Sequence, residues 1–322
     1  MSGVITSGHV NVTPLQIKAG VPLTELRARM RENRYVGDIH HPGWGGITDD
    51  DNRLDTRAAQ RPRGGTPTII NADDRKPTRL VARLYYDKFD RALARQLGDG
   101  VPDEYLYRLD AVDLILSHNG EVIDVLASTQ SAADLQNVVI PALQNLGGDD
   151  TPFTVVHHSA DGEFPSDFFF WILFRFNGDR QLTRDLELAG LRTVNSQDSA
   201  YRRVRVYEDA ETDRREVLAM ISNVANRYGP AKLAVTSKKL ALFADFEIRR
   251  DGGFSPFIEN SGYNDGSPYD RAAFGQRICE DLAYSLIPSL RRAWQRDKAW
   301  YETDRQRFID DSKAALNAST GV

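Results

Sequence analysis

The chain has 322 residues, 41% of them apolar and 27% charged, with a net charge of −5. That length buries an ordinary core without help from disulfides or metals and allows one large domain or two, and the composition excludes wholesale disorder. The longest apolar run, Phe168 to Phe174, falls well short of the roughly 20 residues that a bilayer-spanning helix needs, so no membrane association is expected. Met1-Ser2-Gly3-Val4 lacks the basic stretch of a secretory leader, and the expected location is cytoplasmic. A pI near 5.7 argues against nucleic-acid binding through the overall field, though local patches remain open. Only 8 of the 41 basic residues are Lys. Arg suits phosphate contacts, but its even spread along this chain fits a GC-rich genome better. The single cysteine, Cys279, excludes an intramolecular disulfide and falls in a helical apolar pattern with Ile278, Leu282 and Leu286, as a small core residue would.

Residues 1–78 are polar and rich in Gly and Pro, which predicts an extended, mostly irregular arm. Its exception is Pro22 to Asn33, a short helix with Leu26 and Met30 on one side. From Arg79 the pattern tightens into an α+β body over 79–268. Leu80 to Tyr86 reads as a strand and Phe89 to Leu97 as a short helix. Ala111 to His118 and Glu121 to Ala127 are strands joined by Asn119-Gly120, which accepts the positive φ of a tight hairpin turn. A helix over 132–146 should kink at Pro141. Phe153 to His158 is a further strand. Ser166-Asp167 is expected to cap a core helix, Phe168 to Phe176, that is apolar nearly all round.

Tyr201 to Tyr207 alternates as a half-wet strand, and Asp213 with Glu216 marks the start of a helix reaching Tyr228 before Gly229-Pro230. Lys232 to Thr236 and Leu240 to Arg249 form a second hairpin. Residues 269–322 read as a helical segment broken near Pro288 that packs on the body or a partner. Trp294, Tyr301, Phe308 and Ala315 recur there every seven residues as a narrow stripe. Hairpins interspersed with helices indicate an α+β fold of antiparallel hairpins rather than a doubly wound sheet.

No phosphate-binding loop, Gly-x-Ser-x-Gly nucleophile turn or His-Glu-x-x-His zinc helix occurs. The candidates for chemistry are the hairpin carboxylates. Asp110, Asp113 and Asp124, with Glu121 nearby, lie on or beside paired strands where acids can converge on a divalent ion such as Mg²⁺; Asp124-Val125-Leu126 lacks the acid-x-Lys element that nuclease chemistry would want. Asp245 and Glu247 alternate with Phe246 and Ile248 and are expected to point outward, joined by Lys238 and Lys239 near the turn. Solvated acids and cross-strand pairing explain both sets more simply. Arg203, Arg205 and Tyr207 share one strand face and could take phosphates and bases, but Glu208, Asp209 and Glu211 follow at once. His40-His41 and His157-His158 are the visible titratable pairs, and strand neighbours such as the latter point to opposite faces.

The reading that follows is a non-catalytic binding subunit of a bacterial-type multicomponent system. It requires no cofactor and engages a protein partner or a second copy through Trp294, Tyr301 and Phe308, or a nucleic acid through Arg203, Arg205 and Tyr207 of the basic strand with Lys238 and Lys239. The alternative is a metal-dependent nuclease or phosphoesterase that uses the hairpin carboxylates.

Overall fold

The computed structural model describes residues 10–38, 40–45, 65–98, 100–129, 131–148, 151–157, 164–197, 203–207, 211–212, 214–266 and 271–320. The fold is α+β, and every named strand ladder is antiparallel. The chain divides into two units, Met1–Ser159 with Tyr269–Arg277, and Ala160–Pro268 with Ile278–Val322. This division cuts across the three segments read from composition.

In the first unit β4 (Arg79–Phe89), β5 (Tyr107–Asn119) and β6 (Val122–Thr129) form a meander, with Gly120 at φ 64° closing the expected β5–β6 turn. The short strands β2 (Gly43–Trp44) and β3 (Thr68–Ile70) share the free edge of β4. On the other side β6 pairs with β1 (Asn11–Lys18), which in turn pairs with β7 (Thr154–His157). Thus part of the supposed arm is an integral strand. Its alternation is only eight residues long and contains Pro14, which hides the strand signal; Pro14 falls outside the Leu15–Lys18 stretch that β7 pairs. The partner of Gln16 is Asp124, more than a hundred residues away, so nothing local announces the pairing.

Two helices cover one face of this sheet. The first, α1 (Leu23–Glu32), buries Leu26 and Met30 as its spacing predicts. The second, α4, runs through Ala132–Asp134, a π-helical turn Leu135–Val139, and Ile140–Asn145; Ser131 Oγ accepts from Asp134 N at its start. The π turn lies just before Pro141, whose missing amide removes one helical bond and lets the preceding turn widen. Leu26, Met30, Leu135, Val139 and Leu143 meet Leu15, Ile17, Leu84, Val112, Leu114 and Val125 in one core. Between β4 and β5 stand two short helices, α2 (Arg91–Leu97) and α3 (Asp103–Leu106).

The second unit is built around α5 (Ser166–Asn177), in which Phe168, Phe169, Phe170, Trp171, Ile172, Leu173 and Phe176 are all buried. Burial of each large apolar side chain is worth about 1.5–3 kcal/mol, so this one helix supplies much of the unit's driving force. It packs on β10 (Arg227–Ser237) and β8 (Leu186–Gln197), and β8 pairs onward to β9 (Arg203–Tyr207). On its other edge β10 pairs with β11 (Leu242–Ile248), which carries β12 (Phe254–Pro256) and β13 (Gly262–Tyr263). Ser166 does not cap its own helix; its hydroxyl accepts from Tyr228 N at 2.6 Å.

Helix α6 is Arg215–Ser222, shorter than the pattern suggests. Asn223 and Asn226 end it, the first accepting from Ala225 N and the second donating to Met220 O. Val224 is therefore exposed and Tyr228 belongs to β10. Asp213 lies outside the described residues.

The terminal segment continues as α7 (Arg271–Asp281), a π turn Leu282–Leu286 and α8 (Ile287–Arg296). Pro288 again follows a π turn without breaking the helix. The break comes at Asp297, whose Oδ1 accepts from Trp300 N and starts the next helical run, a π turn Trp300–Asp304 leading into α9 (Arg305–Thr320). Two reciprocal bonds tie this segment to α5. Trp171 Nε1 donates to Asp297 Oδ2 at 2.7 Å, and Trp300 Nε1 donates to Asp167 Oδ2 at 2.9 Å. An arginine completes each: Arg175 reaches Asp297 at 2.6 Å and Arg305 reaches Asp167 at 2.8 Å.

Gly229 lets β10 pass close to α5. Its φ is 98°, and a Cβ there would meet ring carbons of Phe169 at 2.6 Å. Gly229→Ala is expected to cost roughly 2–4 kcal/mol through backbone strain and overpacking, read as a lower denaturation midpoint; an unchanged midpoint would mean that α5 and β10 are not so closely packed.

Candidate functional site

The structure disperses the acids of the first hairpin. Successive residues of β5 face opposite ways, and Asp110 lies on the helix-covered side near Tyr86, whose phenol pKa is raised by burial and by the carboxylates of Asp110 and Asp134. Asp113 and Asp124 share the other face. Asp113 pairs with Ser128 in the ladder and Asp124 with Ser117, which separates them by four residues along the strands, roughly 13 Å.

Each of these two has its own partners. Arg83 of β4 grips Asp113 through Nε at 2.7 Å and Nη2 at 3.2 Å, and the pair is almost wholly buried. Burial works against the charged guanidinium, yet Asp113 more than offsets it and the Arg83 pKa ends above its ordinary value. Asp124 accepts from Gln16 Nε2 and Asn119 Nδ2, both at 2.9 Å. Among the described residues no group of three or more His, Cys, Asp or Glu is placed to hold a metal ion.

In the second unit Asp245 is fully buried, contrary to the expectation that it points outward. Its strand is covered on that face too. Arg192 of β8 reaches Asp245 Oδ2 at 2.7 Å, Asn260 Nδ2 donates to the same oxygen at 3.2 Å, and Phe257 N donates to its carbonyl at 2.8 Å. Oδ1 has no hydrogen-bond partner among the described residues, and burial raises the Asp245 pKa above the ordinary carboxylate value against the pull of Arg192. An acid with a raised folded pKa favours folding in its protonated form, so this group withdraws stability as pH rises from the unfolded value through the folded one. Glu247 lies two residues along on the same face and pairs loosely with Lys232 at 3.8 Å. Lys238 and Lys239 are exposed in the turn beyond Ser237, at least three residues along the ladder from Asp245, and do not join it.

The aromatic stripe faces inward more than outward. Phe308 packs against Phe170 and Phe174, and Trp294 against Phe168 and Tyr301. Tyr301 is half exposed. The partner that the heptad spacing seeks is therefore largely α5 of the same chain. Arg203, Arg205 and Tyr207 lie on β9, next to β8 and bonded to it along five residues. His41 Nδ1 is 2.8 Å from Asp38, the His40 ring meets Tyr107 edge-on, and His157 sits in β7; His158 lies outside the described residues.

A surface that the sequence reading passed over is the tip formed by α2 and α3. Asp90 accepts from Ala92 N and Leu93 N and so caps α2, while its own amide donates to Leu106 O and closes the base. Phe89 and Tyr107 pair across the ladder with rings 5.5 Å apart. The tip is thus fixed at its root, but α2 buries none of its residues. Phe89 is 44%, Leu97 48% and Tyr105 61% exposed. Leu93 and Leu97, four residues apart, make an apolar seam along α2. The signal available in the sequence was this seam on a helix too short to fold unaided. Neither a protein-family model nor a curated protein matches the chain.

Replacing one member of a buried ion pair strands the other. Asp113→Ala is expected to lower unfolding stability by about 3–5 kcal/mol, and Arg83→Met with Asp113→Leu to recover most of it. Equal losses in the single and double variants, read by denaturant titration, would show that Asp113 acts through something other than Arg83.

Proposed function

We propose that the chain is a non-catalytic binding subunit of a cytoplasmic multicomponent assembly, and that it self-associates through the α2–α3 tip. The observation that carries this reading is the exposed set of Phe89 at the end of β4, Leu97 on α2 and Tyr105 on α3, around a helix, α2, that buries none of its residues. Exposed apolar clusters on a rigid mount mark interaction surfaces more often than solvated ones. The tip suits a second copy of itself. Ala94, next to Leu93 of the seam, lets two α2 helices approach closely, and an antiparallel two-fold pairing sets the acidic Asp90 end of one helix against Arg95 of the other.

The carboxylates that a phosphoesterase would use are engaged one at a time by Arg83, Gln16, Asn119 and Arg192, an arrangement that favours binding over hydrolysis. The terminal stripe is the weaker docking surface because Trp294 and Phe308 already contact α5.

Sedimentation velocity over about 1–100 μM protein tests the reading. The wild type is expected to dimerise, Leu97→Asp and Tyr105→Asp to weaken the dimer at least about tenfold, and Tyr301→Ser to leave it intact. A monomer throughout that range, or a dimer indifferent to both tip variants but lost with Tyr301→Ser, overturns it.

A further inference from the structure

Helix α8 is fixed to the second unit by Ile287 and Leu290, both buried, which turns its opposite side to solvent. Arg292 and Arg296 stand one turn apart on that side, about 6 Å along the axis, and both are exposed. Lys298 follows just past the helix end and is exposed as well. At the flank the Arg291 guanidinium lies 4.6 Å from the ring centre of Phe164, whose amide donates to Arg250 O at 2.8 Å. Arg250, exposed in the turn after β11, thereby joins the same surface. Tyr301 closes it at the other end, packed on Trp294 with about half of its surface exposed.

Most of the surrounding acids are engaged. Residues 282–301 hold a single one, Asp297, which accepts from Trp171, Arg175 and Trp300 N. Asp251 pairs with Arg249 at 3.5 Å, and Asp167 with Arg305 and Asp304 with Arg307, both at 2.8 Å. Arg250, Arg292, Arg296 and Lys298 make no ion pair among the described residues, although Arg292 donates to Ser289 Oγ at 2.8 Å. Glu302 is the exposed acid at the rim, while Asp161 and Glu163, which precede Phe164 in the sequence, lie outside the described residues. Setting all three against Arg250, Arg291, Arg292, Arg296 and Lys298 still leaves the surface positive. The negative pole of α8 explains cations at its end such as Arg296 and Lys298, but not Arg292 a turn earlier or Arg250 in another element.

We propose that this face of α8 binds a single-stranded nucleic acid, with Arg292, Arg296 and Lys298 on its phosphates and Tyr301 stacked on a base. Arginine meets phosphate oxygens two at a time, and a ring beside a basic track takes an unpaired base whatever its identity. A carboxylate-bearing peptide would satisfy the cations but leave the ring unused. An anionic membrane would find little to take up, because the apolar side of α8 is already buried. The whole chain carries a net charge of −5, so the attraction is local and the expected affinity modest.

Fluorescence anisotropy of a labelled thymidine oligonucleotide of about 20 nucleotides, titrated with the full-length protein, tests this. Expected are a dissociation constant on the order of 10 μM at about 50 mM salt and a slope of log affinity against log salt of about −2 to −3, as for three or four phosphates. Arg292→Glu with Arg296→Glu should weaken binding at least about tenfold, Arg292→Gln with Arg296→Gln about threefold or more, and Tyr301→Ser about fivefold or more, all with unchanged circular dichroism. The same reversal of charge by Lys238→Glu with Lys239→Glu leaves the affinity within about twofold. No anisotropy change up to about 100 μM protein, equal weakening by the two reversals, no effect of Tyr301→Ser, or displacement by poly-glutamate as effective per charge as by unlabelled oligonucleotide overturns the proposal.

Discussion

The second unit depends on what encloses α5. A helix with Phe168, Phe169, Phe170, Trp171, Ile172, Leu173 and Phe176 all buried cannot satisfy itself against one sheet. β8 and β10 take one side, and the terminal segment must take another. Apolar contact alone would not fix the register of two helices that present mostly rings to each other. The reciprocal indole–carboxylate bonds do so, because each tryptophan can reach only one acid: Trp171 reaches Asp297 and Trp300 reaches Asp167. A charge-assisted bond of this kind contributes about 1.5–3 kcal/mol, comparable to one buried aromatic ring, and its direction specifies the alignment.

The same constraint explains why the aromatic stripe of the C-terminal segment is not a free surface. Tyr301 stays half exposed because the π turn Trp300–Asp304 rotates its neighbour Trp300 inward. What the terminal segment leaves open is the α8 face of Arg292 and Arg296. In the first unit an exposed apolar set lies at the α2–α3 tip, while Arg83 and Asp113 are buried as a pair on the other face of its sheet.

Much of the architecture is legible in the sequence. Asn119-Gly120 declares its hairpin, Leu26 and Met30 declare α1, and the uniform apolarity of Phe168 to Phe176 declares a core helix. What fails is long-range or relational. β1 is invisible because its partner β6 is distant and Pro14 interrupts its pattern. Helix α6 ends early because Asn223 and Asn226 offer the backbone competing bonds that an apolar count ignores. Alternation places Asp245 opposite Phe246 correctly, but alternation cannot tell that Arg192 and the Phe257–Ser261 segment cover that second face. The acids looked convergent for a similar reason: strand position was readable, whereas the separate partners of Asp113, Asp124 and Asp245, namely Arg83, the Gln16 and Asn119 amides, and Arg192, were not.

The alignment of α5 with the terminal segment is tested most directly by a double-mutant cycle on Trp171→Phe and Asp297→Asn, following the tryptophan-detected unfolding transition. The hydrogen bonds from Trp171, Arg175 and Trp300 N outweigh the opposing effect of burial and hold the Asp297 carboxyl below its ordinary pKa. Its contribution is therefore fully present above the unfolded value near 3.9 and fades as pH falls through the folded one. A coupling energy of about 1–2 kcal/mol at neutral pH that shrinks in this acid range is the predicted result. Additive losses at neutral pH would contradict the account, since the indole and the carboxylate would then be stabilising the unit independently.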